Sequence, residues 1–261
     1  MIRLVLRALA ILVGFIGCVP LHYAWKLAGR RSPWPRRYLF WVGYCAGLRT
    51  RKVGTPLPGY VLFVANHLSW LDIMLLAGAS GATFVSKAEV ADLPVFGWLA
   101  RLHDTVFVAR GERRAVKGQA DALRVALASG QPVALFPEGT TDGGVAILPF
   151  RPSLLSALFP PLPGVMVQPV AIDYGAAGHD IAWVGAEPGG ANVKRVLSRP
   201  GTIPVTLHFL PAIAPAEAAD RKVLARRCRA EIVRALGVPA EAPAASTIGF
   251  RSDGGSPIGA R

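Results

Sequence analysis

Acidic residues are scarce in this chain, and their absence is uneven. None occurs from Met1 to Leu71, and all 261 residues carry 16 Asp and Glu against 29 Lys and Arg, a formal charge of +13. That balance calls for an anionic partner: nucleic acid, a membrane surface or an acidic substrate. Helix-turn-helix, zinc and aromatic-glycine signatures are all missing, so nucleic acid is set aside. Cys18, Cys45 and Cys228 are far apart, odd in number and without a C-x-x-C pair. Neither a metal site nor a disulfide framework is indicated, and reduced, mostly buried thiols of a cytosolic environment are expected. No cofactor fingerprint occurs, and G-x-S-x-G is absent, which removes the usual serine nucleophile. Charged residues make up only 17% and apolar ones 52%, so part of the apolar surface is expected to face lipid or a lipid-like ligand.

The amino terminus is where lipid contact is expected. Residues 8–19 are apolar throughout, preceded by Arg3 and Arg7 and followed by Pro20, Lys26, Arg30 and Arg31. No Ala-x-Ala cleavage site follows, and Phe15 stands where a lipoprotein signal has Leu, both against export. A span needs about 20 apolar residues. Residues 4–25 reach that length only by including Arg7, Pro20 and His22. A crossing helix and one lying in the cytoplasmic leaflet both fit, with Trp25, Trp34 and Tyr38 at headgroup level. With a second amphipathic stretch over 35–48, residues 1–52 are expected to form an anchoring helical segment whose basic residues meet anionic headgroups.

Beyond it, short Val- and Phe-rich runs bounded by turn residues predict strands over 60–65, 82–86, 105–108, 132–136, 165–172, 181–184 and 203–209. Helical patterns lie between them over 70–79, 94–102 and 112–128, with a basic closing helix over 216–236. This alternation predicts an α/β domain over 53–238, a mixed and mostly parallel sheet flanked by helices. Residues 239–261 are Ala, Pro, Gly and Ser without periodicity and are expected to be a disordered tail.

Chemistry concentrates where the predicted strands end. Asn66-His67-Leu68-Ser69-Trp70-Leu71-Asp72 follows the first core strand. Ser69 as N-cap and Asp72 three residues on read as a capping box. On one continuous helix His67 and Asp72 would point roughly 140° apart. With His67 just outside the helix, its ring can fold back to the carboxylate. An Asp that holds one imidazole nitrogen protonated leaves the other free to take a proton from a hydroxyl. A structural hydrogen-bonding role is the other reading of this H-x4-D pattern taken alone. Phe136-Pro137-Glu138-Gly139-Thr140-Thr141 closes another strand, offering close backbone approach at Gly139, hydroxyls, and Glu138 as acceptor from a polyol or partner of a cation. Phe107-Val108-Ala109-Arg110 delivers an Arg whose fork suits phosphate or carboxylate. An ordinary strand-ending turn remains the alternative for the Phe136–Thr141 loop, and a solvated basic helix start for Arg113 and Arg114, which follow Arg110.

Taken in order, these elements resemble the four blocks of the glycerophosphate and lysophospholipid acyltransferase family: N-H-x4-D, G-x-x-F-[IV]-x-R, F-P-E-G-[TS] and [VI]-x-P-V. The fourth is matched by Val167-Gln168-Pro169-Val170, and Asp104 replaces the glycine that opens the second. The resemblance implies His67 and Asp72 as catalytic pair, and Asn66, Arg110, Glu138, Gly139 and Thr140 as residues around the acceptor's head group. It implies transfer of a fatty acyl group from acyl-carrier protein or acyl-CoA, a co-substrate rather than a cofactor, to the hydroxyl of a lysolipid at the cytoplasmic face of the inner membrane. Leu148-Pro149-Phe150-Arg151, Ala182-Trp183-Val184-Gly185 and Leu197-Ser198-Arg199-Pro200-Gly201 are similar to the branch that acylates lyso-ornithine lipid; 1-acyl-sn-glycerol 3-phosphate is the other acceptor. The alternative from another class is a non-catalytic, membrane-surface lipid-binding protein of the same fold, and a hydrolase is a third reading.

Overall fold

The computed structural model describes residues 1–87, 98, 101–102, 105–108, 113–141, 143, 146–185 and 187–239. Arg110, most of the helix predicted over 94–102 and the tail from residue 240 lie outside the described residues. Among the described residues seven strands form one sheet: β1 (Leu48–Val53), β2 (Val61–Ala65), β3 (Thr83–Lys87), β4 (Val106–Val108), β5 (Val133–Leu135), β6 (Met166–Asp173) and β7 (Ile203–Phe209), in the order β1-β7-β6-β2-β5-β3-β4. Every neighbouring pair is parallel except β6 with β7. The helices given in full by the described residues are α1 (Ile2–Leu27), α2 (Trp34–Ala46), α3 (Leu71–Ser80), α4 (Arg113–Ala128), the single turn α5 (Gly178–Ile181), α6 (Gly189–Ser198) and α7 (Arg221–Leu236). The mixed, mostly parallel α/β architecture is thus the one expected.

Alternation along β2 builds two cores at once. Val61, Phe63 and Ala65 face a cluster closed by Leu71, Leu75 and Leu76 of α3 and Val196 of α6. Leu62 and Val64 face the opposite cluster, closed by Leu123 and Leu127 of α4, the 3-10 turn Pro152–Leu158, and Leu224 and Ile232 of α7. Phe63, Leu62, Leu71 and Leu76 are fully buried; burial of each such side chain is worth roughly 1.5–3 kcal/mol. Covered on both faces, β2 is apolar at every position and its carboxyl end is held rigidly.

Four elements differ from expectation. Residues 181–184 are not a strand: Ile181 ends α5, and the Trp183 amide donates to the Leu68 carbonyl at 3.0 Å. Both sides of β6 are already taken, by β2 and β7, so the sheet has no place for these residues there. Conversely β1 stands where the end of the anchoring segment is expected, and the boundary expected between 52 and 53 falls inside it. Only Leu48 of this edge strand is buried, and its run of Arg, Thr and Lys carries no alternation; pairing with the β7 backbone makes it a strand. Helix α6, opened by Gly189 and Gly190, is not among the helices expected. The closing helix begins later than expected, at Arg221, where the Asp220 carboxylate accepts from the amides of Lys222 and Val223.

Among the described residues α1 is long and apolar enough to cross a membrane, by length and composition. One face lies along the domain. Leu4 and Ile11 pack on the sheet core. Arg7 donates to the carbonyls of Val196, Leu197 and Gly201, supplying partners to the last turn of α6 and the loop after it. Trp41 donates to the Ala10 carbonyl at 2.8 Å, Phe15 meets Tyr38 edge-on, and His22 is buried. The other face leaves Ile2, Val5, Leu9, Val13 and Ile16 exposed, continued on α2 by Phe40, Trp41 and Tyr44.

Candidate active site

The site is assembled where β2, β5 and β6 end. Asn66 continues β2 into a turn; its amide accepts from the Ile172 N–H at 2.8 Å and donates to the Ile172 carbonyl at 3.1 Å, which pins the turn to β6. His67 follows, outside the helix. α3 begins at Leu71, two residues after Ser69. The acidic half of the capping box is present: Asp72 Oδ2 accepts from the Ser69 N–H at 2.9 Å and the Leu68 N–H at 2.6 Å. The serine half is weak, since Ser69 Oγ reaches only the Leu71 amide, at 3.5 Å. The reason is geometric: the carboxylate turns back over the entrance to the helix to meet the His67 ring.

His67 Nδ1 stands 2.9 Å from Asp72 Oδ2. Asp72 is fully buried, and its other oxygen accepts from the Tyr174 hydroxyl at 2.6 Å. All four partners are donors, which a carboxylate accepts; Nδ1 therefore carries the ring proton and Nε2 the lone pair. The His67 ring lies flat on Phe136, centroids 4.1 Å apart and 13° between planes, and Phe136 stacks in turn on Phe84. His67 keeps 18% of its side-chain surface open. The arrangement is a fixed, oriented imidazole with one basic nitrogen facing out. Burial, followed by the Asp72 charge and hydrogen bond, pushes the Tyr174 phenol well above its usual range, so it serves as a donor throughout.

The loop after β5 is locked to the His67 turn from beneath. Glu138, 3% exposed, accepts from the His67 N–H at 2.8 Å through Oε1 and from the Leu148 N–H at 3.0 Å through Oε2. Gly139 has φ +74, and a Cβ there would lie 3.1 Å from the Arg151 guanidinium; glycine is what this turn and this close approach require. Thr140 is exposed. Thr141 donates to the Trp183 carbonyl at 2.6 Å, while the Trp183 amide reaches Leu68, so residues 182–185 form a third wall. Glu187 supports it: hydrogen bonds from Arg195, then Asn192, draw its carboxyl down to about 2.

The structure thus brings Asn66, His67, Asp72, Glu138, Gly139 and Thr140 to one place; Arg110 lies outside the described residues. In this arrangement Asn66 and Glu138 are buried and bind backbone, while Thr140 and Arg151 are open. Sequence reasoning overlooked Tyr174 and the Phe136 stacking platform. Tyr174 stands directly after β6, at the strand end where ligands of open α/β sheets bind, and that position was its only signal. Among the described residues no group of His, Cys, Asp and Glu could hold a metal ion.

Comparison with known proteins gives the chain its family. The acyltransferase family model matches residues 50–173. The chain is 36% identical over 252 residues to the lyso-ornithine lipid O-acyltransferase of Rhodobacter capsulatus, covering 90% of each, and 34% identical over 260 residues to that of Brucella abortus, covering 90% of this chain and 96% of the relative. The 1-acyl-sn-glycerol-3-phosphate acyltransferase of Neisseria gonorrhoeae is 36% identical over 126 residues, 47% of this chain and 49% of that one. The crystal structure of the 1-acyl-sn-glycerophosphate acyltransferase PlsC from Thermotoga maritima shares the fold, with a TM-score of 0.58, 22% identity and coverage of 90% of this chain and 96% of that one. The chain belongs to the acyltransferase family. It is an acyl-transferring enzyme, not a bare lipid-binding scaffold.

Proposed function

We propose that this enzyme transfers a fatty acyl group from acyl-carrier protein or acyl-CoA to the free hydroxyl of a single-chain polar lipid, with His67 as general base. The observation that carries the reading is the His67–Asp72 pair, 2.9 Å apart, with Nε2 left open. Nε2 takes the hydroxyl proton as the oxygen attacks the thioester carbonyl; the C–S bond breaks, and the departing sulfur takes that proton back from the imidazolium. Asp72 keeps the ring oriented and offsets its transient charge.

Lyso-ornithine lipid is the favoured acceptor and 1-acyl-sn-glycerol 3-phosphate the second, because three relatives named for the former match 90% of the chain in sequence and two named for the latter match 47%. Arg151, beside Gly139, and Arg110 suit the carboxylate or phosphate of such an acceptor. Thr140 offers a further contact, while Asn66, Glu138 and Gly139 shape the loops. The enzyme works at the inner face of the cytoplasmic membrane, with α1 and α2 lying in the interface. The interfacial placement is supported by the docking of α1 along one face, through Leu4, Arg7, Ala10, Ile11 and Phe15, and by its exposed apolar opposite face.

The test is purified protein offered both acceptors with both donors, products read by mass, beside His67→Ala. Turnover is expected to fall by about 10³-fold or more, the scale of a lost general base and its oriented pair, with sedimentation on vesicles unchanged. Activity within about tenfold of wild type would sink the mechanism.

A further inference from the structure

A second groove, of about 240 Å3, opens between α2, α3 and β1. Two glycines line it and let the elements around it pack closely: Gly43 of α2 abuts Leu48 and Met74, and Gly78 of α3 abuts Phe40. Phe40 and Tyr44, exposed by 56% and 47%, form its lip beside the open apolar face of α1. Arg49 and Lys52 form its rim. Lys52 Nζ donates to the Ala79 carbonyl at 3.2 Å, and two donors remain. Arg49 donates to the carbonyls of Tyr44 and Leu48 through Nη1 alone, with its guanidinium 4.1 Å from the Tyr44 ring. Neither has a carboxylate partner among the described residues. An apolar trough with two unneutralised cations at its edge is complementary to an acyl chain joined to an anionic head group.

The groove is not the reaction site. β1 runs parallel to β7, β7 antiparallel to β6, and β6 parallel to β2. The carboxyl end of β1 therefore lies at the edge of the sheet opposite His67. The bond from Lys52 to Ala79 says the same, since Ala79 is at the far end of the ten-residue α3 from Asp72. At 1.5 Å per residue that helix is about 15 Å long, so a head group held at Lys52 stands roughly a helix length from the reacting imidazole.

We propose that the groove holds an intact anionic diacyl glycerophospholipid of the membrane. One acyl chain lies along Phe40, Met74 and Gly78, and the phosphodiester meets Arg49 and Lys52. The lipid is a resident ligand that fixes α2 and α3 at the bilayer surface, and it is not consumed. This rests on the reading that α1 and α2 lie on a membrane.

The test uses the full chain in a non-ionic detergent, with native mass spectrometry after exposure to equal amounts of dioleoylphosphatidylglycerol and dioleoylphosphatidylcholine. One phosphatidylglycerol is expected to remain bound, in about tenfold preference, the scale of a charge-assisted contact. Arg49→Glu and Lys52→Glu should each remove that preference, and Met74→Trp should remove retention by filling the trough without changing charge. Arg51→Glu, the same charge change on the same strand outside the groove, should leave retention within about twofold. Equal retention of both lipids, unchanged retention in Lys52→Glu and Met74→Trp, equal loss in Arg51→Glu, or displacement by lysophosphatidic acid overturns the proposal. Vesicle sedimentation separates the two readings: failure to bind vesicles with phosphatidylglycerol retained sinks the membrane reading alone. Vesicle binding without the selective retention sinks the groove alone.

Discussion

Replacing Asp72 by Asn isolates charge from shape in the proposed base. The buried carboxylate accepts from His67 Nδ1, the Leu68 and Ser69 amides and the Tyr174 hydroxyl, at 2.9, 2.6, 2.9 and 2.6 Å. Asn keeps the outline, and its oxygen can still face the three N–H donors while the amide nitrogen turns to Tyr174, whose hydroxyl must rotate to accept. Each bond then falls from the charged range of about 1.5–3 kcal/mol to the neutral range of about 0.5–1.5 kcal/mol, a loss near 1 kcal/mol apiece and about 4 kcal/mol together. The chemical step loses the anion beside the forming imidazolium. Breaking a buried pair costs about 3–5 kcal/mol; at 1.36 kcal/mol per decade that is a fall of about 10² to 10⁴ in kcat. KM should change little, because Asp72 is sealed from substrate. The assay is acyl transfer at saturating donor, with thermal unfolding measured on the same sample. A variant that melts lower yet turns over within about fivefold of wild type would refute the reasoning, leaving Asp72 as a purely structural acceptor.

Further outcomes are expected elsewhere. Tyr174→Phe keeps the buried ring but leaves Asp72 Oδ1 without its donor; a loss of about 1–3 kcal/mol in stability is expected in denaturant unfolding. Gly139→Ala strains a residue at φ +74 and pushes on Arg151, so kcat/KM for the acceptor should fall while the KM of the thioester donor holds. Arg7→Ala removes the donors to Val196, Leu197 and Gly201, and limited proteolysis should then cut between α1 and α2 faster than in wild type. Burial pushes the Cys228 thiol up to about 12 from 9.0. The folded state therefore favours the protonated thiol, so this contribution is complete below pH 9 and is lost as pH rises toward 12. Iodoacetamide at pH 8 should label Cys228 only after unfolding, as read by peptide mass.

Much of the site was legible because its residues cluster in short local blocks. His67 and Asp72 are five apart, Phe136 to Thr140 is one loop, and each block follows an apolar strand whose carboxyl end faces the same edge of the sheet. Local chemistry also placed His67 before the helix, since a helical H-x4-D pair diverges. The sequence by itself determined the mixed, mostly parallel sheet, the basic apolar amino terminus and the order of the blocks, because these depend on periodicity and on neighbours close along the chain. It could not show β1, whose single buried residue has no pattern and whose pairing with β7 joins positions about 150 residues apart. It misread residues 181–184, an apolar run for which the sheet has no free place.

Only the tertiary structure decided that Glu138 is 3% exposed and holds the His67 backbone, and that Tyr174 closes the fourth contact of Asp72. It likewise decided that Arg7, an apparent flaw in an apolar helix, ends on the carbonyls around residues 196–201. Each is a contact between residues 71 to 194 positions apart, set by how strands order in the sheet and how helices cover it. A hydrogen bond or a buried charge is specified by what meets it in space, and no spacing along the chain encodes that meeting.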